Sequence, residues 1–104
     1  MKKLFSTLTL ACGVVFAAGN ARAIDELHKK YTCTACHADD KKLVGPSYKD
    51  VAAKYKTDKD AVAKLSLKVR KGGVGVWGQI PMPPNPTPSD AEIKTMVESV
   101  LKTK

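Results

Sequence analysis

The sequence predicts an all-α domain of about four helices, for two reasons. Apolar residues recur at helical spacing in four stretches, and no stretch alternates apolar and polar residues as a strand would. Five of the six prolines fall within residues 81–88, so this segment cannot be a helix or a central strand. The predicted helices span about 25–31, about 47–55, from 57 or 58 to 71, and 90–101.

Capping residues support the second and fourth of these helices. Ser47 follows Pro46 and stands three residues before Asp50, which suits the start of a helix. The string SDAE at 89–92 is a capping box, in which the serine and glutamate side chains each accept a hydrogen bond from the other residue's backbone N–H. The apolar stripe that follows, at 93–101, is expected to pack inward.

The first 23 residues predict a secretory signal peptide. Two lysines precede an apolar run, and small residues spaced A-x-A end at Ala23. Cleavage after Ala23 would leave one domain, residues 24–104. Lipid attachment at Cys12 is the alternative, but the preceding residues, TLA, fit a lipoprotein signal poorly. The apolar run is shorter than a membrane span, so no stable membrane insertion is expected.

The predicted domain is small and basic. A domain of about 80 residues has a marginal hydrophobic core unless a disulfide, metal or cofactor adds buried surface. Without Lys2, Lys3 and Arg22, 15 of the 18 basic residues remain against 10 acidic ones. The basic residues are scattered, which is typical of a solvated surface, and together they favour acidic partners. Since no nucleic-acid motif is present, nucleic-acid binding is not expected.

Residues 33–37, CTACH, allow a redox dithiol, part of a zinc site or covalent attachment of haem. A zinc site needs about four ligands, and only His28 could supplement the three residues of the motif. A thioredoxin-like dithiol needs a strand before the motif, which the pattern lacks. In the haem interpretation Cys33 and Cys36 form thioethers with the vinyl groups, and His37 becomes an axial ligand of the iron. Haem would also supply the missing core.

The long segment at 72–88 is expected to be an extended loop across one side of the domain. It contains GVGVWG at 73–78, which matches the dinucleotide-binding pattern G-x-G-x-x-G only in its letters. That device needs a strand before the glycines and a helix after them, whereas here a helix precedes and prolines follow. Nucleotide binding is therefore not expected. Because structureless loops of this length are uncommon, we expect the loop to bind something else.

The second axial position of the iron has three candidates: Met82, Met96 and His28. Met96 lies in the apolar stripe of the last helix, where methionine usually packs in the core. His28 is expected at the surface or in helix packing. Met82 stands between two prolines in the stiff loop, so we expect it to be the ligand. A thioether ligand and a buried haem both raise the reduction potential.

Three strings, CTACH, VGPSYKDVAAKY and GVWGQIPMPPN, resemble the small bacterial class I cytochromes c. The resemblance covers nearly all of residues 24–104. It implies the cytochrome c fold, with about four helices wrapped around one covalently attached c-type haem. It also implies a periplasmic one-electron carrier, not an enzyme, which cycles a His/Met-ligated haem between ferric and ferrous states and shuttles electrons between respiratory partners.

The resemblance also implies roles around the haem. The Pro46 carbonyl would accept the ring N–H of His37 and orient that ligand. Trp77 would direct its indole N–H toward a haem propionate, with Lys68 near the same edge. Asn85 would hydrogen-bond near the sulfur of the loop methionine and fix its orientation.

The sequence departs from the family pattern at three places. Ser99 stands where relatives usually place a Trp or Tyr, and His28 where a hydrophobic residue is common. The loop after Asn85 is one residue longer. We therefore expect looser packing between the first and last helices, and a less stable protein than its relatives.

The expected partners are redox proteins with acidic docking surfaces that meet a lysine-ringed haem edge. The donor could be a quinol-oxidising complex or another cytochrome, and the acceptor a terminal oxidase, a nitrite reductase or a peroxidase. The protein is expected to be a monomer. Two alternatives remain open: a catalytic or sensory haem domain in which Met82 leaves the iron, and a dithiol oxidoreductase without haem.

Overall fold

The computed structural model describes residues 18–104, which form four α-helices and one short 3-10 helix. The helices are α1 (Ala18–Lys30), α2 (Tyr48–Lys54), α3 (Ala61–Lys71) and α4 (Asp90–Leu101), and the 3-10 helix is Cys33–Ala35. Within these residues the only β-type pairings are two isolated bridges, so the all-α prediction is confirmed. None of the described helices is both long and apolar enough to cross a membrane. Residues 1–17 of the predicted signal peptide lie outside the described part.

The two predicted helix caps are present. The Ser47 hydroxyl accepts the Asp50 N–H at 3.1 Å, and α2 begins at the next residue. At α4 the Ser89 hydroxyl accepts the Glu92 N–H at 3.1 Å, while the Glu92 carboxylate accepts the Ser89 N–H at 3.0 Å. Because these bonds join residues close in sequence, both starts could be predicted.

The other two helices begin elsewhere than predicted. The Asp58 carboxylate accepts the Asp60 N–H at 2.8 Å and pairs with Lys64 at 2.8 Å, so residues 58–60 form a turn before α3. α1 begins earlier than expected, at Ala18, since the intervening residues contain good helix formers and no proline. It ends at Lys30, close to the predicted end at about 31, and Thr32 follows in the left-handed conformation with φ 59°.

The core is built around α4, which contacts α1, α2 and α3. Ile93, Met96 and Val97 are only 2–3% exposed and form its centre. The partly buried side chains around them are Leu27, Tyr31, Cys33, Val62, Leu65, Val69 and Leu101. The stripe predicted to pack inward therefore does so.

Polar side chains occur on α1 and α4, and one pair joins the end of α1 to α4. His28 on α1 is 6% exposed and contacts Tyr48 on α2, while Ser99 on α4 is half-buried. The Tyr31 hydroxyl just beyond α1 donates to both carboxylate oxygens of Glu92, at 2.9 and 3.0 Å. This bond ties the end of α1 to the capping box of α4, which the sequence did not suggest.

Candidate cofactor site

An open, mostly apolar cleft of about 270 Å³ brings most of the predicted site residues together. Its lining includes Cys33, Cys36, His37, Pro46, Lys68, Trp77 and Met82, and also His28 and Met96. Asn85 does not line the cleft. The cleft thus joins two segments far apart in sequence, CTACH and the loop at 72–88, which we call the Met82 loop.

The CTACH segment forms a tight turn on one wall of the cleft. The N–H groups of Cys36 and His37 both donate to the Cys33 carbonyl, at 3.2 and 2.9 Å. Both cysteines are free, half-buried thiols. Burial raises the pKa of the Cys33 thiol. The two thiols are therefore available to form thioethers beside the histidine.

The ring of His37 is held by three neighbours. Its Nδ1 lies 2.7 Å from the Pro46 carbonyl oxygen; because a carbonyl only accepts, Nδ1 carries the proton and Nε2 keeps a free lone pair. A Cβ at Gly45 would come within 2.6 Å of the ring's Cε1, so the backbone there packs directly against the ring. The Tyr48 ring stacks on His37 with centroids 5.5 Å apart and planes 23° from parallel.

Tyr48 also contacts His28. The Tyr48 hydroxyl and His28 Nδ1 are 3.1 Å apart, and the two rings have centroids 5.1 Å apart. Tyr48 therefore contacts both histidine rings, and all three side chains line the cleft. Burial lowers the pKa of His28 and raises that of Tyr48. The His28 Nε2 atom is buried without a hydrogen-bond partner.

The backbone at Met82 is fixed against the end of α3. The Gly73 N–H donates to the Met82 carbonyl at 3.0 Å, and the Met82 N–H donates back at 2.8 Å. Gly72 ends α3 with φ 71°, and a Cβ at this residue would overlap the Met82 carbonyl oxygen. Only glycine meets both conditions.

The other three predicted residues, Trp77, Lys68 and Asn85, differ in exposure and in what they contact. Trp77 is 40% exposed, and the Lys54 ammonium lies 5.4 Å from its ring centroid. The Lys68 side chain lies over Gly73, where a Cβ would overlap it. The Asn85 side-chain amide donates to the Pro83 carbonyl at 3.4 Å, so it contacts the backbone of the Met82 loop.

Three residues near the site were not predicted from the sequence: Gly45, Tyr48 and Arg70. Gly45 and Tyr48 contact His37. They flank Pro46 and Ser47 in the sequence, so their nearness to the residue predicted to orient His37 could have indicated them. Arg70 binds the Met82 loop through backbone carbonyls. Carbonyl partners carry no side-chain signature, so sequence alone gives no indication of this contact.

The donor set fits haem better than a protein-only metal site. Among residues 18–104 no group of three or more His, Cys, Asp or Glu residues could hold a metal ion. Haem contains the equatorial ligands of its iron, so the protein supplies only the axial ligands. Apolar side chains that line the open cleft would be covered by a flat apolar group: Val44, Val74, Val76 and Ile80, each 46–66% exposed. The fold and site therefore define a c-type haem protein.

Comparisons with known proteins agree. The cytochrome c family model matches residues 21–104. The chain is 47% identical over 96 residues to cytochrome c-552 of Nitrosomonas europaea, covering 92% of this chain and 93% of the relative. It is 48% identical to cytochrome c-551 of Pseudomonas aeruginosa, covering 91% of each. The crystal structure of wild-type Nitrosomonas europaea cytochrome c552 superposes with a TM-score of 0.74 at 49% identity, covering 77% of this chain and 99% of that one.

The chain belongs to the cytochrome c family of electron carriers, among the small class I monohaem members. It carries one covalently attached c-type haem, and Cys33 and Cys36 stand in the C-x-x-C-H motif that such attachment uses.

Proposed function

We propose that this chain is a periplasmic one-electron carrier in which His37 and Met82 are the axial ligands of the haem iron. The observation that carries the proposal is that both side chains line the same cleft as the two thiols. They reach it from two separate segments, so a group attached at CTACH would meet Met82 on the other segment. The protein would pass electrons between respiratory partners and would not transform a substrate.

Each residue of the site has a distinct task in this proposal. When bound, the haem supplies an iron that alternates between ferric and ferrous states. The Pro46 carbonyl holds Nδ1 of His37, which would leave Nε2 to bind the iron. Met82 offers a soft thioether, which favours the ferrous state, and the apolar lining disfavours the extra positive charge of the ferric state. Occupation of both axial positions would keep oxygen from the iron.

Three residues are proposed to act at the edges of the haem. Lys68 and Trp77 line the cleft and would meet the propionates, where an ammonium and an indole N–H can neutralise or bind a carboxylate. Asn85, two residues beyond Pro83 and bonded to it, would fix the orientation of the Met82 sulfur.

The proposed setting is the periplasm, reached after cleavage at Ala23, and the protein would act there as a monomer. The scattered excess of basic residues supports partners with acidic docking surfaces. A quinol-oxidising complex or another cytochrome could be the donor. A terminal oxidase, nitrite reductase or peroxidase could be the acceptor.

Met82→Ala, compared with Met96→Leu, tests the ligand assignment. Both methionines line the cleft, but Met96 is 3% exposed in the core of α4. The ferric wild-type protein should show the far-red absorption band of a methionine ligand, and the ferrous protein should not bind carbon monoxide. Met82→Ala should abolish the band and permit carbon monoxide binding, while Met96→Leu should leave both properties unchanged.

Two outcomes would contradict the proposal. Carbon monoxide binding by the untreated ferrous wild-type protein would favour a catalytic or sensory haem domain. Loss of the band in Met96→Leu with its retention in Met82→Ala would reassign the ligand.

A further inference from the structure

The Met82 loop has few ways to hold itself in place. Between 72 and 88 it forms neither a helix nor a strand beyond the bridge at Gly73 and Met82. Five prolines occupy residues 81–88, and proline has no backbone N–H to donate. Apart from the bridge, the loop's backbone tie to α3 is the Asn85 N–H, which donates to the Val69 carbonyl at 3.0 Å. Donors for two further carbonyls come from one side chain.

Arg70, in the last turn of α3, supplies those donors. Its Nη1 donates to the Asn85 carbonyl at 3.2 Å and to the Pro86 carbonyl at 2.9 Å. Its Nη2 donates to the Asp90 carboxylate, in the first turn of α4, at 2.8 Å. One guanidinium therefore joins the end of α3, the far end of the loop and the start of α4, which its planar fork of five N–H donors makes possible.

The bonds to carbonyls matter more than the ion pair. The Asp90 side chain is 99% exposed, whereas that of Arg70 is 27% exposed, and exposed pairs contribute little because water screens them. The charged guanidinium strengthens its bonds to the two carbonyls. Since Asn85 follows Met82 by only three residues and the intervening residues are prolines, the stiff segment must move with Met82.

We propose that Arg70 is a positioning residue that holds the Met82 loop closed and so limits the access of small external ligands to the iron. The inference rests on the proposed function, because it requires Met82 to be an axial ligand. An external base reaches the iron only when Met82 leaves, and the loop must shift for Met82 to leave. Removal of the Arg70 bonds raises the population of the shifted loop and tightens external binding by the same factor.

The experiment measures imidazole binding to the ferric holoprotein in four proteins. Arg70→Met keeps the aliphatic stem and removes all three bonds, and Asp90→Asn removes only the ion pair. Lys71→Met on the same helix is the charge-matched control, because the Lys71 side chain is exposed and makes no hydrogen bond or ion pair in the described part of the chain. Arg70→Met should bind imidazole about tenfold more tightly, while Asp90→Asn changes affinity less than about twofold and Lys71→Met has no effect.

Amide hydrogen exchange gives a second measurement, which reports opening at the Met82 N–H itself. The Met82 N–H should exchange about tenfold faster in Arg70→Met than in the wild type, because the loop opens more often. If Arg70→Met proves too unstable, Arg70→Lys keeps the charge but lacks the second nitrogen of the planar fork, which in Arg70 binds Asp90 while the first binds the two carbonyls; it should give a smaller change in the same direction.

Unchanged imidazole affinity and unchanged Met82 exchange in Arg70→Met would overturn the inference, even if its melting temperature fell. Equal effects of Arg70→Met and Lys71→Met would overturn it too, because charge alone would then explain them. Failure of the proposed function would be distinguishable, since the wild-type protein would then lack the far-red band before any substitution was made.

Discussion

His28 is the most buried ionisable side chain in the part of the chain that the structure describes, with 6% of its surface exposed. Its Nδ1 is bonded to Tyr48, while its Nε2 has no partner. A charge on this ring would lack both water and a counter-ion in contact. Desolvation therefore lowers the pKa of His28, against the weaker opposing effect of the carboxylates of Asp25 and Asp39. The folded protein keeps the ring neutral, so protonation at low pH lowers the free energy of unfolding.

Stability should fall as pH drops below the ordinary histidine value of 6.5. Below pH 6.5 the unfolded chain takes up a proton on His28 more readily than the folded chain does. The stability that the neutral His28 ring contributes is therefore complete above pH 6.5 and is lost as pH falls toward the lower pKa of the folded state. Urea unfolding of the ferrous protein at several pH values between 7.5 and 5 measures this, with His28→Gln as the comparison. The variant should lose less stability than the wild type, and equal losses would contradict the assignment.

At the scale of the elements, α4 organises the domain through its first turn as well as its core. The Glu92 carboxylate closes the capping box with the Ser89 N–H and also accepts the Tyr31 hydroxyl. These hydrogen bonds lower the pKa of Glu92. Tyr31 lies two residues before Cys33. The Glu92 carboxylate therefore links the first turn of α4 to the residues just before CTACH.

Ser89→Ala should lower the free energy of unfolding by about 1 kcal/mol, the usual value of a serine cap. The Ser89 hydroxyl accepts the Glu92 N–H and the Tyr31 hydroxyl donates to the Glu92 carboxylate. Because both side chains bind the same residue, Tyr31→Phe and Ser89→Ala should be non-additive in a double-mutant cycle. Urea unfolding of the four proteins measures both quantities. Thr95→Ala, at an exposed position inside α4, is the control and should not destabilise the protein; strict additivity would mean that the two side chains act separately.

At the scale of the whole molecule, charge governs encounters with partners. The chain has a formal net charge of +8, and the predicted domain keeps 15 basic residues against 10 acidic ones. No helix within residues 18–104 is long and apolar enough to cross a membrane. A scattered positive surface attracts acidic partners over a distance set by the ionic strength.

Electron transfer to an acidic partner should slow by about tenfold or more as ionic strength rises from about 0.01 to about 0.15 M, because the screening length shrinks from about 30 to about 8 Å. Stopped-flow mixing of the reduced protein with acidic and with basic redox proteins measures this. The basic partner should show no such slowing, and rates indifferent to salt with both would exclude electrostatic steering.

Sequence predicted what depends on short-range chemistry. The caps at Ser47 and Ser89 involve residues three apart, so the starts of α2 and α4 agree with expectation. The start of α3 was wrong because the Asp58 side chain competes for a backbone N–H, an alternative that periodicity does not reveal. The Met82 loop was located by its prolines, but its attachment through Arg70 was missed, since that contact crosses 15 or 16 residues to reach carbonyls.

The backbone contacts at Gly45 and Gly72 also limit which substitutions the protein tolerates at these two residues. Any single-nucleotide change in a glycine codon leaves glycine, introduces a residue with a Cβ, or creates a stop codon. That carbon would come within 2.6 Å of the His37 ring at residue 45 and would overlap the Met82 carbonyl at residue 72. Purifying selection at these two codons should therefore be as strict as at those for His37 and Met82, although neither glycine has a side chain with which to bind anything.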